Sequence, residues 1–237
     1  MLSQPRIRRV LEVCRKLRAD RLLDIGCGDG EITLQLRDLS GASQVFGVDI
    51  SAAAVEAANQ RQVKATQLNI DETDLPFGDS SFDLVYCGEV LEHLLDPDHL
   101  LHEILRVLHP AGHCIITTPN LAAWTERVVL LLGRQPYSTG VSFKYPHAGK
   151  LLIPADAPGW EGGHIRVMAL RAFRTLLDLH GFTIVLLRGT RLHTSTRLPL
   201  PFDLTWRLVD WGLSHRAGLA PVMVALVRKR VGSAELR

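Results

Sequence analysis

A glycine-rich turn constrains what this chain can fold into more than any other feature. The apolar run Leu22–Ile25 leads into Gly26, Gly28 and Gly30, and an amphipathic segment follows. This spacing predicts a strand, a tight turn and a helix, because glycine adopts positive φ without strain and lets backbone approach a ligand closely. The amides that begin the helix are available as hydrogen-bond donors. The turn therefore predicts a small-molecule site at the carboxyl end of a parallel strand.

Acidic residues around the turn distinguish between two kinds of ligand. A dinucleotide-binding turn has glycines in the pattern G-x-G-x-x-G, but Glu31 occupies the third position here and would repel a pyrophosphate. Asp24 and Asp29 are also unsuited to an anion. A ligand that carries an amino group and a sulfonium would be attracted by the same carboxylates. The residues therefore favour a cationic ligand over a dinucleotide.

The acid-x-Gly-x-Gly pattern resembles the first motif of the class I S-adenosylmethionine-dependent methyltransferases. The resemblance extends from about Leu22 to Asn120 and returns more weakly over His164–Val185. It implies that S-adenosyl-L-methionine is the cofactor, with the ribose on the acid that ends the second strand and the adenine amino group on the acid before Leu-Pro-Phe. The implied cofactor-binding residues are Asp24, Gly26, Cys27, Gly28, Gly30, Asp49, Ile50, Ile70, Asp71, Cys87 and Gly88.

Two of these acids also have ordinary structural interpretations. Asp49 lies about 20 residues after the turn, where a ribose needs an acceptor, yet Asp49 or Ser51 could simply cap a helix over Ala52–Gln60. Asp71 begins an acidic stretch of the kind common in solvated loops.

Alternating apolar and amphipathic segments predict an α/β fold. The resemblance implies a seven-stranded, mostly parallel sheet with helices on both faces and an antiparallel last strand. We interpret residues 1–237 as one methyltransferase domain with a lid-like insertion at about 121–163 and a second excursion at about 191–220. Strands are expected at Arg21–Ile25, Val45–Asp49, Ala65–Ile70, Ser81–Cys87, His113–Thr118, Phe182–Leu187 and Val222–Val227, with a break at His109–Gly112 before the fifth.

A second cluster of polar residues follows the fourth strand. Glu89, Glu92 and His93 stand at i, i+3 and i+4, which predicts one face of a helix. Carboxylates and an imidazole could bind Mg²⁺, Mn²⁺ or Zn²⁺. The run is similar to one in ubiquinone-pathway O-methyltransferases and small-RNA 2′-O-methyltransferases, where it holds a divalent ion, and His164 is the later histidine that would complete the set. In metal-free relatives a Glu-His pair braces the cofactor loop, and this alternative stays open.

The resemblance implies methyl transfer to a small-molecule or lipid-like acceptor, with oxygen as the expected atom. His164 or His93 would act as the base if no metal binds, and the metal set would chelate the acceptor if one does. The alternatives are an inactive cofactor-binding or scaffold protein of the same fold, an NAD-linked enzyme, and a metal-dependent 2′-O-methyltransferase.

The composition of the chain favours some kinds of partner over others. The net charge of +2 gives no basic field for nucleic acid. The four cysteines include no C-x-x-C pair, which favours reduced thiols and a cytoplasmic location, and we expect no signal peptide or membrane-spanning helix. The insertions are rich in leucine and tryptophan, which indicates an apolar acceptor or peripheral contact with a membrane surface. The sequence leaves the oligomeric state open.

Overall fold

Seven strands form one sheet in this computed structural model, which describes residues 4–157, 163–191 and 202–230, with side chains for all of these except 202–207. The strand order is β3-β2-β1-β4-β5-β7-β6. The strands are β1 (Arg21–Ile25), β2 (Gln44–Asp49), β3 (Lys64–Gln67), β4 (Phe82–Gly88), β5 (Leu108–Pro119), β6 (Phe182–Thr190) and β7 (Val222–Lys229). Of the second excursion predicted at about 191–220, residues 192–201 lie outside the described residues.

Helices cover both faces of the sheet. They are α1 (Pro5–Cys14), α2 (Glu31–Ser40), α3 (Ala52–Gln60), α4 (Pro97–Val107), α5 (Trp124–Leu131), α6 (Leu170–Leu179) and α7 (Phe202–Ser214). Across the described ranges, none of these helices has the length and apolar character needed to cross a bilayer.

The pairing confirms the predicted fold class. β1 pairs in parallel with β2 and β4, and the parallel set continues through β3 and β5. β7 lies between β5 and β6 and is antiparallel to both. The carboxyl ends of the parallel strands therefore meet at one edge, where the glycine turn and the acidic cluster also lie.

Residues of the central strands alternate between two apolar cores. Leu23 of β1 and Val85 of β4 belong to the larger core, beneath α4 and α6. Leu22 and Leu84, their chain neighbours, belong to the core beneath α1 and α2. A strand whose side chains are buried on both faces has the near-continuous apolar sequence seen in β4.

Three local predictions were wrong. Glu89, Glu92 and His93 do not share a helical face: the chain forms only a 3₁₀ turn at Leu91–His93, and Glu89 stands before it with φ of +57°. A backbone hydrogen bond from the Glu89 amide to the Thr117 carbonyl (3.0 Å) keeps Glu89 in register with β5.

The other two corrections concern strand ends. His109–Gly112 does not break β5, which runs on as a strand, although its register with β4 shifts between Phe82 and Leu84. β3 stops at Gln67 instead of reaching Ile70, because Asn69 turns the chain by accepting hydrogen bonds from the amides that follow it.

Candidate cofactor and acceptor site

The glycine turn is attached to the end of β2. The amides of Gly26 and Cys27 donate to the Val48 carbonyl at 2.8 and 3.1 Å. Gly26, Gly28 and Gly30 all have positive φ. A Cβ on Gly26 would lie 2.6 Å from a methyl group of Val90, whereas one on Gly28 would meet no atom within 4 Å. Gly28 thus borders open space, as expected of the position that faces a ligand.

Asp49 contacts this turn directly. Its Oδ2 accepts a hydrogen bond from the Gly28 amide at 2.8 Å, and its Oδ1 accepts one from the Ser51 amide at 2.9 Å. Ser51 is the residue that caps α3, through a bond from the Ala54 amide. Asp49 therefore lies at the rim of the open space, and the apolar side chain of Ile50 beside it is 66% exposed.

Asp24 lies beneath the turn and is almost completely buried. Thr33 donates its hydroxyl to Oδ2 at 2.6 Å, while Oδ1 has no hydrogen-bond partner among the described residues. Burial raises the pKa of Asp24 to about 7, and the Thr33 hydrogen bond opposes the shift. A buried carboxyl oxygen without a partner favours a cationic group nearby.

Asp71 holds the loop that follows β4. Oδ1 of its carboxylate accepts hydrogen bonds from the amides of Leu95 and Asp96, at 3.0 and 3.1 Å. Ile70 is buried in the larger core beside it. This bracing role does not test the predicted contact of Asp71 with adenine, which stays a prediction.

The remaining predicted residues offer backbone groups only. The thiols of Cys27 and Cys87 are buried, and burial raises the pKa of both. Gly88 has no room for a side chain, since a Cβ there would lie 2.1 Å from the Tyr86 hydroxyl.

Arg6 of α1 is a candidate that the sequence analysis missed. Its guanidinium donates to the Tyr86 hydroxyl at 3.1 Å, and its charge acts on both Asp24 and Glu92. The sequence shows an amphipathic basic helix, and only the fold reveals that this arginine reaches across to β4.

Glu92, His93 and His164 come together at the carboxyl edge of the sheet. One potential ligand atom from each lies within 4.8 Å of the others, and the two imidazole rings are 4.8 Å apart between centroids. His164 is brought there because the Glu92 carbonyl accepts hydrogen bonds from the amides of Ile165 and Arg166. The predicted pairing of His164 with His93 and Glu92 is therefore seen in the geometry.

Glu89 does not join this cluster. Its carboxylate accepts the Thr117 hydroxyl at 2.9 Å, and Thr118 donates to Glu92 at 3.1 Å. Because Glu89 precedes the 3₁₀ turn, its side chain is directed by β5 and not by a helix. The predicted four-residue metal set is thus reduced to three in the part of the chain that the structure describes.

The cluster favours its uncharged forms. Burial, followed by the charge of Glu89, raises the pKa of Glu92, while burial lowers the pKa of His93 and of His164. Glu92 Oε1 is buried and has no hydrogen-bond partner in the part of the chain that the structure describes. Two imidazoles and a carboxylate form a donor set that catalytic zinc sites use, so these residues fit a divalent ion.

The glycine turn, the sheet order and the acidic edge are typical of class I S-adenosylmethionine-dependent methyltransferase domains, and part of this chain is similar to a methyltransferase family. Residues 23–116 match the family model described as "Methyltransferase domain". This segment contains the last three residues of β1, all of β2 to β4 and most of β5, and it includes the glycine turn and the predicted cofactor residues.

Named methyltransferases match a little under half of the chain. The 27-O-demethylrifamycin SV methyltransferase of Amycolatopsis mediterranei is 42% identical over 46% of this chain and 44% of its own length. A ubiquinone biosynthesis O-methyltransferase of Alkalilimnicola ehrlichii is 34% identical over 44% of this chain and 43% of its own length. The chain thus spans less than half the length of these relatives.

Solved structures share the fold at low identity. An S-adenosylmethionine-dependent methyltransferase from Mesorhizobium loti has a TM-score of 0.59 at 17% identity and covers 93% of this chain and 96% of its own. The [4+2]-cyclase SpnF has a TM-score of 0.58 at 20% identity, with 94% and 82% covered. Because a cyclase has this fold, the fold alone does not establish methyl transfer.

Proposed function

We propose that this protein transfers a methyl group from S-adenosyl-L-methionine to an oxygen of a small-molecule or lipid-like acceptor. The observation that carries the proposal is the contact between the Gly28 amide and the Asp49 carboxylate, with open space in front of Gly28. A carboxylate that a backbone amide holds at this rim suits the hydroxyl pair of a ribose, and the open space in front of Gly28 leaves room for the rest of the ligand.

S-adenosyl-L-methionine supplies a methyl group that its sulfonium has already activated. The protein's residues then have to bind the donor and the acceptor, align them and exclude water. Effects of this kind are worth up to about 7–11 kcal/mol. We expect Asp24 and Asp49 to balance the positive charge of the ligand, and Arg6 to pair with its carboxylate. Ile50 and Ile70 provide apolar surface for the adenine.

His164 is the candidate base. Its Nδ1 lies 2.7 Å from the Ser138 carbonyl, so Nδ1 carries the proton and Nε2 is the basic nitrogen of the neutral ring. Its lowered pKa keeps it neutral and able to accept a proton from an acceptor hydroxyl. A positioned base contributes about 10²–10⁴-fold to the rate.

The acceptor class follows from the relatives. The rifamycin and ubiquinone enzymes are named for methylation of small molecules at oxygen. The insertion at 121–163 would cover the acceptor as a lid, because it follows β5 and supplies Ser138 to His164.

A metal-dependent version is the second candidate, favoured by the Glu92–His93–His164 cluster. When bound, a divalent ion would lower the pKa of an acceptor hydroxyl. Glu92, His93 and His164 would hold the ion. Because the pKa of Glu92 is raised, binding of the ion would have to displace a proton from its carboxyl group.

Calorimetry with S-adenosylhomocysteine and NAD tests the proposal first. We expect S-adenosylhomocysteine to bind and NAD not to bind. Binding of NAD alone would overturn the proposal in favour of a dehydrogenase, and binding of neither would favour a scaffold protein.

Methyl-labelled S-adenosylmethionine with a panel of phenolic and hydroquinone acceptors tests the chemistry. If the reaction does not depend on a metal, His164→Ala should lower kcat by about 10²-fold or more, and a chelator should have no effect. With a metal, the chelator abolishes turnover and Mn²⁺, Mg²⁺ or Zn²⁺ restores it. His109→Ala, a change at the opposite edge of the sheet, is the matched control. Cofactor binding without turnover of any acceptor would favour the inactive relative.

A further inference from the structure

Three consecutive leucines at the end of α5 are exposed. Leu130, Leu131 and Leu132, which we call the α5 tip, are 52%, 87% and 60% exposed. Gly133 follows with φ of +67° and lets the chain turn away from the helix. Isolated exposed leucines are ordinary on protein surfaces, but a contiguous group of this kind marks an interaction site.

The arrangement of the tip distinguishes between its potential partners. Consecutive helical residues point about 100° apart, so three of them cover about 200° of the helix circumference. A flat protein face contacts a narrower apolar stripe. A lipid surface can surround a tip on several sides, because the acyl chains and headgroups adapt to its shape.

The charges around the tip favour anionic lipid. Arg127 and Arg134 flank the leucines and are exposed, and residues 127–134 contain no acid. The acid that precedes them, Glu126, is buried and accepts hydrogen bonds from the amides of Tyr137 and Ser138 at 2.7 and 2.9 Å. The exposed charge of the tip is therefore positive only. Arginines beside apolar residues can place their guanidinium groups among anionic headgroups.

We propose that the α5 tip docks the protein on an anionic lipid bilayer. α5 comprises eight residues and so is about 12 Å long, far shorter than the roughly 30 Å hydrocarbon layer. The contact is consequently a shallow one at the headgroup boundary. Docking does not depend on methyl transfer, and it would place the insertion beside a pool of lipid-like molecules.

Vesicle co-sedimentation without cofactor or acceptor tests the proposal. The intact protein should bind vesicles of phosphatidylcholine and phosphatidylglycerol in equal parts, and bind much less to phosphatidylcholine alone. Leu131→Ser with Leu132→Ser should lower the partition coefficient by about tenfold or more. Arg134→Gln should weaken binding less, and added salt should weaken it further.

Leu179→Ser is the matched control, since Leu179 is a 76% exposed leucine at the end of α6. It should leave vesicle binding unchanged. Unchanged thermal stability and S-adenosylhomocysteine binding would show that the double variant is folded. Equal binding to both kinds of vesicle, or equal binding of the double variant, would overturn the proposal. A dimer that the double variant abolishes, with no vesicle binding, would assign the tip to a second copy instead.

Discussion

The Nδ1 of His164 lies 2.7 Å from the Ser138 carbonyl oxygen, so the insertion sets which ring nitrogen of this histidine carries the proton. Ser138 is itself held by Glu126, whose buried carboxylate accepts the Tyr137 and Ser138 amides. Lys150 donates to the Tyr137 carbonyl at 3.0 Å. The candidate base thus depends on a network within the insertion as well as on the sheet.

Glu126→Gln should lower kcat by about 10–100-fold with little change in S-adenosylhomocysteine affinity. The amide side chain can accept from only one of the two backbone amides, so the Ser138 carbonyl loses its fixed position, and supporting groups of this kind typically contribute that much. The carbonyl raises the pKa of His164. We therefore also expect the acidic limb of the kcat/KM profile to move to lower pH.

Glu103→Gln provides the comparison for this variant. Glu103 is another buried carboxylate that accepts a backbone amide, that of Leu75 at 2.7 Å. It should lose thermal stability while the pH profile stays unchanged. A Glu126→Gln profile identical to that of the wild type would show that Glu126 only stabilises the fold.

Much of the fold could be predicted because its signals are local. The alternation of apolar and amphipathic segments located every strand of the sheet, and the glycines at alternate positions located the turn. Asp49 was correctly assigned to the end of its strand, since a parallel strand places its last residue at the ligand edge. The resemblance, and not periodicity, supplied the number of strands and the antiparallel direction of the last one.

The rest of the site depends on contacts between distant residues. Glu89 leaves the cluster because β4–β5 pairing and the Thr117 hydroxyl determine its position, which i, i+3 spacing cannot reveal. Arg6 reaches Tyr86 only through the packing of α1. Glu126 appears in the sequence as one acid in an amphipathic run, and its partners lie in an irregular loop beyond the helix.

Gly28→Ala should weaken S-adenosylhomocysteine binding by about tenfold or more, as measured by calorimetry. Its φ is +53°, so alanine costs about 1–2 kcal/mol of backbone strain, and the added methyl group enters the open space beside Asp49. Gly41→Ala is a close match, since Gly41 has φ of +78° and equally open surroundings at the end of α2. We expect the two variants to lose similar amounts of thermal stability. A similar loss of affinity in the two variants would show that Gly28 does not contact the ligand.

Arg6→Gln should weaken S-adenosylhomocysteine binding by about 10–100-fold, because a hydrogen bond between charged groups contributes about 1.5–3 kcal/mol. The reference ligand is 5′-methylthioadenosine, which lacks the carboxylate and should bind both proteins equally. Arg8→Gln, an exposed change on the same helix, should affect neither ligand. Equal losses for both ligands would show that Arg6 supports the site only through Tyr86.

The affinity for S-adenosylmethionine should rise as pH increases from about 5.5 to about 7.5. Burial raises the pKa of Asp24 to about 7, so the carboxyl group is protonated in mild acid and ionised above neutrality. A cationic ligand favours the ionised form and binds more tightly once the proton has left. Calorimetric titrations across this range measure the slope.

Asp24→Asn provides the control for this dependence, since its amide retains an acceptor for the Thr33 hydroxyl and cannot ionise. The affinity of the Asp24→Asn variant for S-adenosylmethionine should change with pH only through the ionisation of the ligand.

The stability of the unliganded protein gives an independent check of the Asp24 pKa. A carboxyl group whose pKa is raised on folding stabilises fully below its unfolded value of 3.8, and this contribution is lost as pH rises through about 7. The wild type should therefore lose thermal stability relative to Asp24→Asn between pH 4 and pH 7. Parallel stability curves for the two proteins would mean that folding does not raise the pKa of Asp24, and the predicted rise in ligand affinity with pH would lose its basis.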